Sequence, residues 1–65
     1  MYPKKDDICR HYKGGLYKVI CFANIENNCT PVTVYQCMEG GLFWVRPTHE
    51  FLGKFTVVQK EEDDG

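Results

Sequence analysis

Two short stretches hold the side chains best suited to binding chemistry. The first contains the only tryptophan, Trp44, and one of the two arginines, Arg46. They are two residues apart, so on a strand they share a face, where a guanidinium beside an aromatic ring can hold a phosphate, a carboxylate or a flat base. The structural alternative is that Trp44 is the largest core side chain and Arg46 pairs with Asp6, Asp7 or Glu50.

The second stretch surrounds a glycine turn and carries the other arginine, Arg10, with Tyr12, Lys13 and Tyr17. Basic groups interleaved with aromatic rings are typical of proteins that bind single-stranded nucleic acid or nucleotides. An ordinary solvated hairpin with half-buried tyrosines is the alternative. We expect Arg10 and Arg46 to lie near each other on the surface, because an unpaired buried guanidinium is too costly for a small domain.

Catalytic and metal-binding patterns do not accompany these stretches. Cys9 and His11 share one strand face, but the four cysteines lack the close pair spacing of structural zinc sites. Neither glycine pair precedes a helix as a phosphate-binding loop, and the acids lie in turns and in the tail. We therefore expect no metal, no cofactor, no catalytic residue and no enzymatic activity.

The apolar pattern predicts the elements that position these side chains. Leu42 to Val45 is four apolar residues in a row, which predicts a short buried strand that Pro47 ends. The stretch 16–25 is apolar on both faces, which predicts a bent central strand shared between two sheets. In chain order, we predict strands over 8–12, 16–25, 32–38, 42–46 and 55–59, with one helical turn over 48–53 capped by Thr48.

Five short strands with glycine turns indicate an all-β fold, a small SH3-like barrel or half-open roll of antiparallel strands. An OB-type fold is the alternative. The 65 residues make a single domain. Within it we expect a loosely held lead-in over 1–7, an ordered core over about 8–59 and a solvated acidic tail over 60–65.

The composition of the chain limits the kind of ligand that it can bind and the cellular compartment that we expect. Residues 1–60 carry eight basic and five acidic side chains, a net charge of +3, which is compatible with an anionic ligand but too small for tight binding to duplex DNA. The first seven residues contain no apolar run of a signal peptide, and no membrane span is expected. We expect a cytoplasmic protein with reduced cysteines, of which Cys21 and Cys37 act as core side chains.

The chain resembles the small bacterial and phage family called domain of unknown function 1653. The resemblance covers roughly residues 8–55 and rests on five ordered blocks, Arg10–Gly14 (RHYKG), Tyr17–Val19 (YKV), Val34–Tyr35, Leu42–Pro47 and the trailing Phe51. The chain departs from the family pattern at Gln36, Phe43 and the pair 49–50, and Gln36 weakens the carry-over of a basic pocket to that position. The resemblance implies a fold and a candidate surface rather than an activity.

Together these observations predict a small non-enzymatic binding module for an anionic or flat partner: nucleic acid, a nucleotide or an acidic peptide. The alternative is a protein–protein interaction or homodimerising module that acts by edge-strand contact. A small enzyme or enzyme accessory is the remaining possibility. The predicted binding surface consists of Arg10, Tyr12, Lys13, Tyr35, Trp44 and Arg46.

Overall fold

The computed structural model describes residues 2–59, in which five strands form one antiparallel sheet and one short helix packs against it. In chain order the elements are β1 (Ile8–His11), β2 (Leu16–Asn24), β3 (Pro31–Cys37), β4 (Phe43–Pro47), α1 (Thr48–Lys54) and β5 (Phe55–Gln59). The strand order is β4-β3-β2-β1-β5, so β4 and β5 are the two edges. The mostly-β prediction is confirmed, but the sheet stays open between these edges and a closed SH3-like barrel is not confirmed.

Glycines make the two turns that the sequence predicts. Gly14 and Gly15 have φ values of 102° and 90°, and Gly40 and Gly41 have φ values of 92° and 77°. Side chains larger than hydrogen disfavour this region, so the glycines are required for the chain to reverse here. The first turn joins β1 to β2, and the second joins β3 to β4.

A β-bulge in β2 explains why this strand is apolar on both faces. The register against β3 shifts between Val19 and Cys21, so the residues that face the core change from odd to even positions along the strand. Val19 therefore lies opposite Tyr35, whereas Phe22 lies opposite Thr33. The prediction that β2 is shared between two sheets is wrong, because all five strands belong to one sheet. The bulge within this sheet produces the same sequence pattern.

The core lies between one face of the sheet and α1. It consists of Cys9, Val19, Tyr35, Phe51 and Phe55, and the rings of the two phenylalanines stack with centroids 4.1 Å apart. Phe51 is the helix residue that reaches this face, where it is almost fully buried. This face of the sheet, which carries the core and α1, is called the inner face below.

A buried pair of hydroxyl groups fixes the start of α1. The hydroxyl oxygens of Thr33 and Thr48 lie 3.0 Å apart, and both residues are buried. Thr48 is therefore not the helix cap that we predicted, since Pro47 occupies that position and no side chain caps the helix. The hydrogen bond to β3 takes the Thr48 hydroxyl away from the helix backbone.

The predicted buried strand at 42–46 is wrong in its burial. Phe43 and Val45 are 61% and 60% exposed. They lie on β4, an edge strand whose outer face no other described element covers. The edge position also explains why Pro47 can remain within the strand, opposite Val32, because an edge strand can lack one outward N–H group.

Burial also corrects the predicted roles of the cysteines and of the lead-in. Cys9 is in the core, whereas Cys21 is exposed and Cys37 is partly exposed.

The residues before β1 are held against β2, since the Asp6 amide donates to the Val19 carbonyl and the Val19 amide donates to the Asp7 carbonyl. The predicted acidic tail over 60–65 lies outside the described residues. No helix between residues 2 and 59 is long and apolar enough to cross a membrane.

Candidate functional site

A cavity of about 210 Å³ opens on the inner face of the sheet. Every strand contributes to it, because the sheet curls and brings β1 and β5 toward β4. We call it the aromatic cavity, and it is lined by His11, Tyr17, Tyr35, Trp44, Arg46 and Phe55.

Strand register explains how residues distant in sequence meet in the aromatic cavity. Tyr35 lies opposite Trp44 across β3 and β4, and His11 lies opposite Phe55 across β1 and β5. Opposite residues in neighbouring antiparallel strands point to the same face. The two cross-strand pairs therefore both line the cavity, and the rings of Tyr35 and Phe55 contact each other with centroids 5.1 Å apart.

The aromatic rings pack mainly edge to face. Tyr17 meets Tyr35 and Phe55 with centroid distances of 5.4 Å in both cases and interplanar angles of 78° and 84°. His11 meets the Phe55 ring in the same way, at 4.9 Å and 79°. Such contacts hold each ring in a fixed orientation. The rings of His11, Tyr17, Tyr35 and Phe55 thus support one another in the cavity wall, an arrangement that suits a flat group.

Arg46 is the charged group of the aromatic cavity. Its Nε atom donates a hydrogen bond of 3.4 Å to the Tyr35 hydroxyl, and its guanidinium carbon lies 5.8 Å from the centroid of the Phe55 ring. The hydrogen bond to Tyr35 is the main cause that raises the pKa of Arg46, against a smaller opposing effect of burial. The guanidinium is thus charged at every physiological pH and held beside the rings.

One carboxylate only partly balances this charge. Glu50 lies 3.7 Å from an Arg46 terminal nitrogen, in agreement with one of the pairings that we considered from the sequence. The Glu50 side chain is 47% exposed, so solvent weakens this pair. Positive potential therefore remains at the aromatic cavity.

The pKa of His11 reflects this positive potential. Burial and the charges of Arg46, Lys13 and Lys54 lower the pKa of His11 below its ordinary value of 6.5. In addition, the Lys13 amide donates a hydrogen bond of 3.1 Å to Nδ1 of His11, and only a neutral Nδ1 can accept it. His11 is therefore neutral near pH 7, and an anion at this place would find the cations of Arg46, Lys13 and Lys54.

A basic rim extends the aromatic cavity beyond His11. The exposed ring of Tyr12 lies beside the His11 ring, with a centroid distance of 4.6 Å. The Lys13 and Lys54 ammonium groups lie 5.6 and 5.2 Å from the centroid of Tyr12. The Tyr12 amide donates to the Lys54 carbonyl, which joins the end of β1 to the end of α1. This basic rim, Tyr12 with Lys13 and Lys54, presents two cations around a flat ring.

The structure brings together five of the six predicted surface residues. Tyr35, Trp44 and Arg46 line the aromatic cavity, and Tyr12 and Lys13 form its rim. Trp44 is 50% exposed, so the alternative in which its ring is a core side chain is wrong.

Arg10 is the exception, because it does not line the aromatic cavity with Arg46 and instead lines a neighbouring cavity with His11 and Tyr12. It is opposite Leu16 on β2 and Thr56 on β5, and its neighbour His11 lines the cavity. Because successive residues of a strand point to opposite faces, Arg10 lies on the outer face of the sheet. Arg10 and His11 are adjacent in the RHYKG block of the sequence, although their side chains lie on opposite faces of the sheet.

Four contributors to the cavity and rim were not among the predicted surface residues, namely His11, Tyr17, Lys54 and Phe55. Alternation within β1 places His11 on the face of the buried Cys9, and this signal was available in the sequence. Lys54 had no such signal, because its position follows from the helix that returns the chain to the end of β1. Among residues 2–59, no group of three metal-ligating side chains is placed to hold a metal ion.

These features define a small single-sheet β domain with an electropositive aromatic cavity. Residues 7–63 match the family model described as protein of unknown function (DUF1653), and the chain belongs to this family. The resemblance that the sequence blocks indicate is thereby confirmed. Comparisons with curated proteins and with solved structures each give no match.

Proposed function

We propose that this protein is a non-enzymatic binding module that recognises a flat, anionic ligand through the aromatic cavity. The observation that carries the proposal is the position of Arg46, which lies beside the Phe55 ring and next to the half-exposed Trp44. A guanidinium and an indole at one opening match a ligand that combines a planar ring with a negative charge. The fold in this proposal is a half-open roll of the SH3-like type.

A nucleotide, free or within a single strand, fits this description best among the partners considered. Its base can stack on Trp44, and its phosphate can reach Arg46 and the lysines of the basic rim. An acidic peptide supplies the anion without the flat ring. A cationic ligand is disfavoured, because Arg46, Lys13 and Lys54 already make this region positive.

Other parts of the proposal concern location. Cys21 and Cys29 are exposed, and exposed thiols suit a reducing compartment. The proposed location is the cytoplasm of a bacterial or phage-infected cell, which the exposed thiols support. The sequence blocks that the chain shares with its family suggest the bacterial or phage origin.

The proposal is tested by titrating the protein with adenosine monophosphate, a short single-stranded oligonucleotide and an oligoglutamate peptide while Trp44 fluorescence is recorded. We expect a saturable change with the two nucleotide ligands, weaker affinity at higher salt, and at least a tenfold loss of affinity in Arg46→Ala, about 1.4 kcal/mol or more. Arg10→Ala removes the same charge from a side chain that does not line the aromatic cavity and is the matched control, with a clearly smaller loss of affinity expected. No saturable signal with any ligand, or equal losses in the two variants, contradicts the proposal.

A further inference from the structure

The edge strand β4 exposes two apolar side chains on its outer face beside open backbone hydrogen-bonding groups. Phe43 and Val45 are 61% and 60% exposed. Among the described strands, β4 has one neighbour, β3. Edge strands of monomeric proteins usually carry lysines or other charges that prevent association, and the exposed outer face of β4 has none. A surface of this kind marks an interaction site.

The backbone groups that β4 leaves open follow from its register with β3. Leu42 lies opposite Cys37, and the Cys37 amide donates to the Leu42 carbonyl over 2.8 Å. Because alternate residues of an antiparallel strand turn toward the same neighbour, Trp44 and Arg46 also direct their backbone groups toward β3. By the same alternation, Phe43 and Val45 direct their N–H and C=O groups outward, and Pro47 directs a C=O group alone.

We infer that β4 pairs with β4 of a second copy of this chain, antiparallel and centred on Val45, to form a continuous ten-stranded sheet. In this register the two Val45 residues exchange both of their backbone hydrogen bonds across a twofold axis. Each Phe43 amide then donates to the carbonyl of the partner's Pro47. The missing N–H of Pro47 costs one bond at each end and limits the pairing to this short segment.

The side chains of β4 are complementary to themselves in this register. Trp44 of one copy lies opposite Arg46 of the partner subunit, in a pair whose close spacing is within reach of a cation–π contact. On the outer face, Phe43 and Val45 of the two copies form one apolar stripe. Trp44 precedes Val45 and Arg46 follows it, so an identical antiparallel strand places an aromatic ring opposite a cation at both positions. This complementarity favours a second copy of the chain as the partner of β4.

The inference does not rest on ligand binding, and a charge-swap experiment tests it directly. The full chain is studied by sedimentation velocity over a range of protein concentrations. We expect wild type to reach twice the mass of one chain, and both Val45→Lys and Val45→Glu to sediment as single chains, because each places like charges opposite each other at the axis. An equimolar mixture of the two variants should regain the two-chain mass.

The matched control is Val58→Lys, which introduces the same charge at an exposed valine on β5, the other edge of the sheet. This variant should keep the two-chain mass. The mixture also guards against misfolding, since two unfolded variants would not restore association. Wild type at the single-chain mass at all concentrations overturns the inference. A mixture that stays at the single-chain mass, or equal dissociation by Val58→Lys, overturns it as well.

Discussion

Arg46 and Tyr35 are joined by a hydrogen bond in which Nε of the guanidinium donates to the phenolic oxygen over 3.4 Å. Tyr35 is 5% exposed and belongs to the core, whereas the Arg46 side chain is 27% exposed and lines the aromatic cavity. The bond therefore links the packed interior to the charged group of the site. Tyr35 is fixed by packing and orients Arg46. This orientation reduces the conformational entropy that Arg46 loses when a ligand binds.

Tyr35→Phe keeps the ring in the core and removes the hydroxyl that orients Arg46. We expect a loss of about 1 kcal/mol in the free energy of unfolding, since the bond is long and partly solvated. Nucleotide affinity should fall as well, because Arg46 loses its fixed position. Urea unfolding and the fluorescence titration measure the two effects. Tyr12→Phe, at a ring that is 63% exposed, is the control for stability; an equal loss of stability there would contradict the assigned role of the hydroxyl.

Trp44→Ala should affect binding more than folding. A fully buried large aromatic side chain costs about 3–5 kcal/mol when it is truncated to alanine. Half of the Trp44 surface is already exposed to solvent. We therefore expect a loss of about 1–2 kcal/mol in the free energy of unfolding, in proportion to the apolar area that is lost. Urea unfolding followed by circular dichroism gives the value. A loss of more than about 3 kcal/mol would indicate that the Trp44 ring is a core side chain and would contradict this expectation.

The sequence predicts the elements of this fold well and their burial less well. Period-two alternation and the glycine pairs locate all five strands, and the last one, Phe55–Gln59, has the predicted bounds. The position of a strand within the sheet depends on pairing that no local pattern encodes. For this reason the apolar run in β4 predicts a buried strand, although β4 is an edge.

The candidate site was predicted in the same partial way. Trp44 and Arg46 share a face because they are two residues apart, and this local rule placed them correctly. The separation of Arg10 from Arg46 follows from the face that each strand turns inward, which the long-range register decides. Lys54 and Phe55 enter the site because α1 returns the chain to β1, a tertiary effect without a sequence motif.

The buried hydroxyl pair offers a test of polar satisfaction in the core. Thr33→Val and Thr48→Val should each cost about 1–3 kcal/mol of unfolding free energy, because each leaves one buried hydroxyl without its partner. The double variant should lose less than the sum of the two, since both polar groups are then gone. A thermodynamic double-mutant cycle measures this difference. Strictly additive losses would show that the two hydroxyl groups do not interact.

Acid should destabilise the free protein through His11. Burial and the nearby cations lower the pKa of His11 in the folded chain below the unfolded value of about 6.5. The unfolded chain therefore binds more protons between the two pKa values. The stabilisation is present above pH 6.5 and is lost as the pH falls through the folded pKa. Urea unfolding at several pH values measures this slope.

His11→Gln should flatten that slope, because glutamine does not titrate in this range. A bound anion favours the charged ring, so nucleotide binding should raise the pKa of His11 and strengthen as the pH decreases. Acid thus weakens folding and tightens binding through one residue. A stability that rises on acidification through this range would contradict the assigned environment of His11.

The most direct test of the central claim is to map the backbone and side-chain NMR signals of the protein during titration with adenosine monophosphate. We predict saturable shifts of the Trp44 indole N–H, the Arg46 Nε–H and the His11 ring, which surround the aromatic cavity, together with smaller shifts at the basic rim. The Arg10 signals on the outer face should not move beyond the effect of salt. Saturable shifts centred on Arg10, or no saturable shift at Trp44 and Arg46, would contradict the assignment of the aromatic cavity as the binding site.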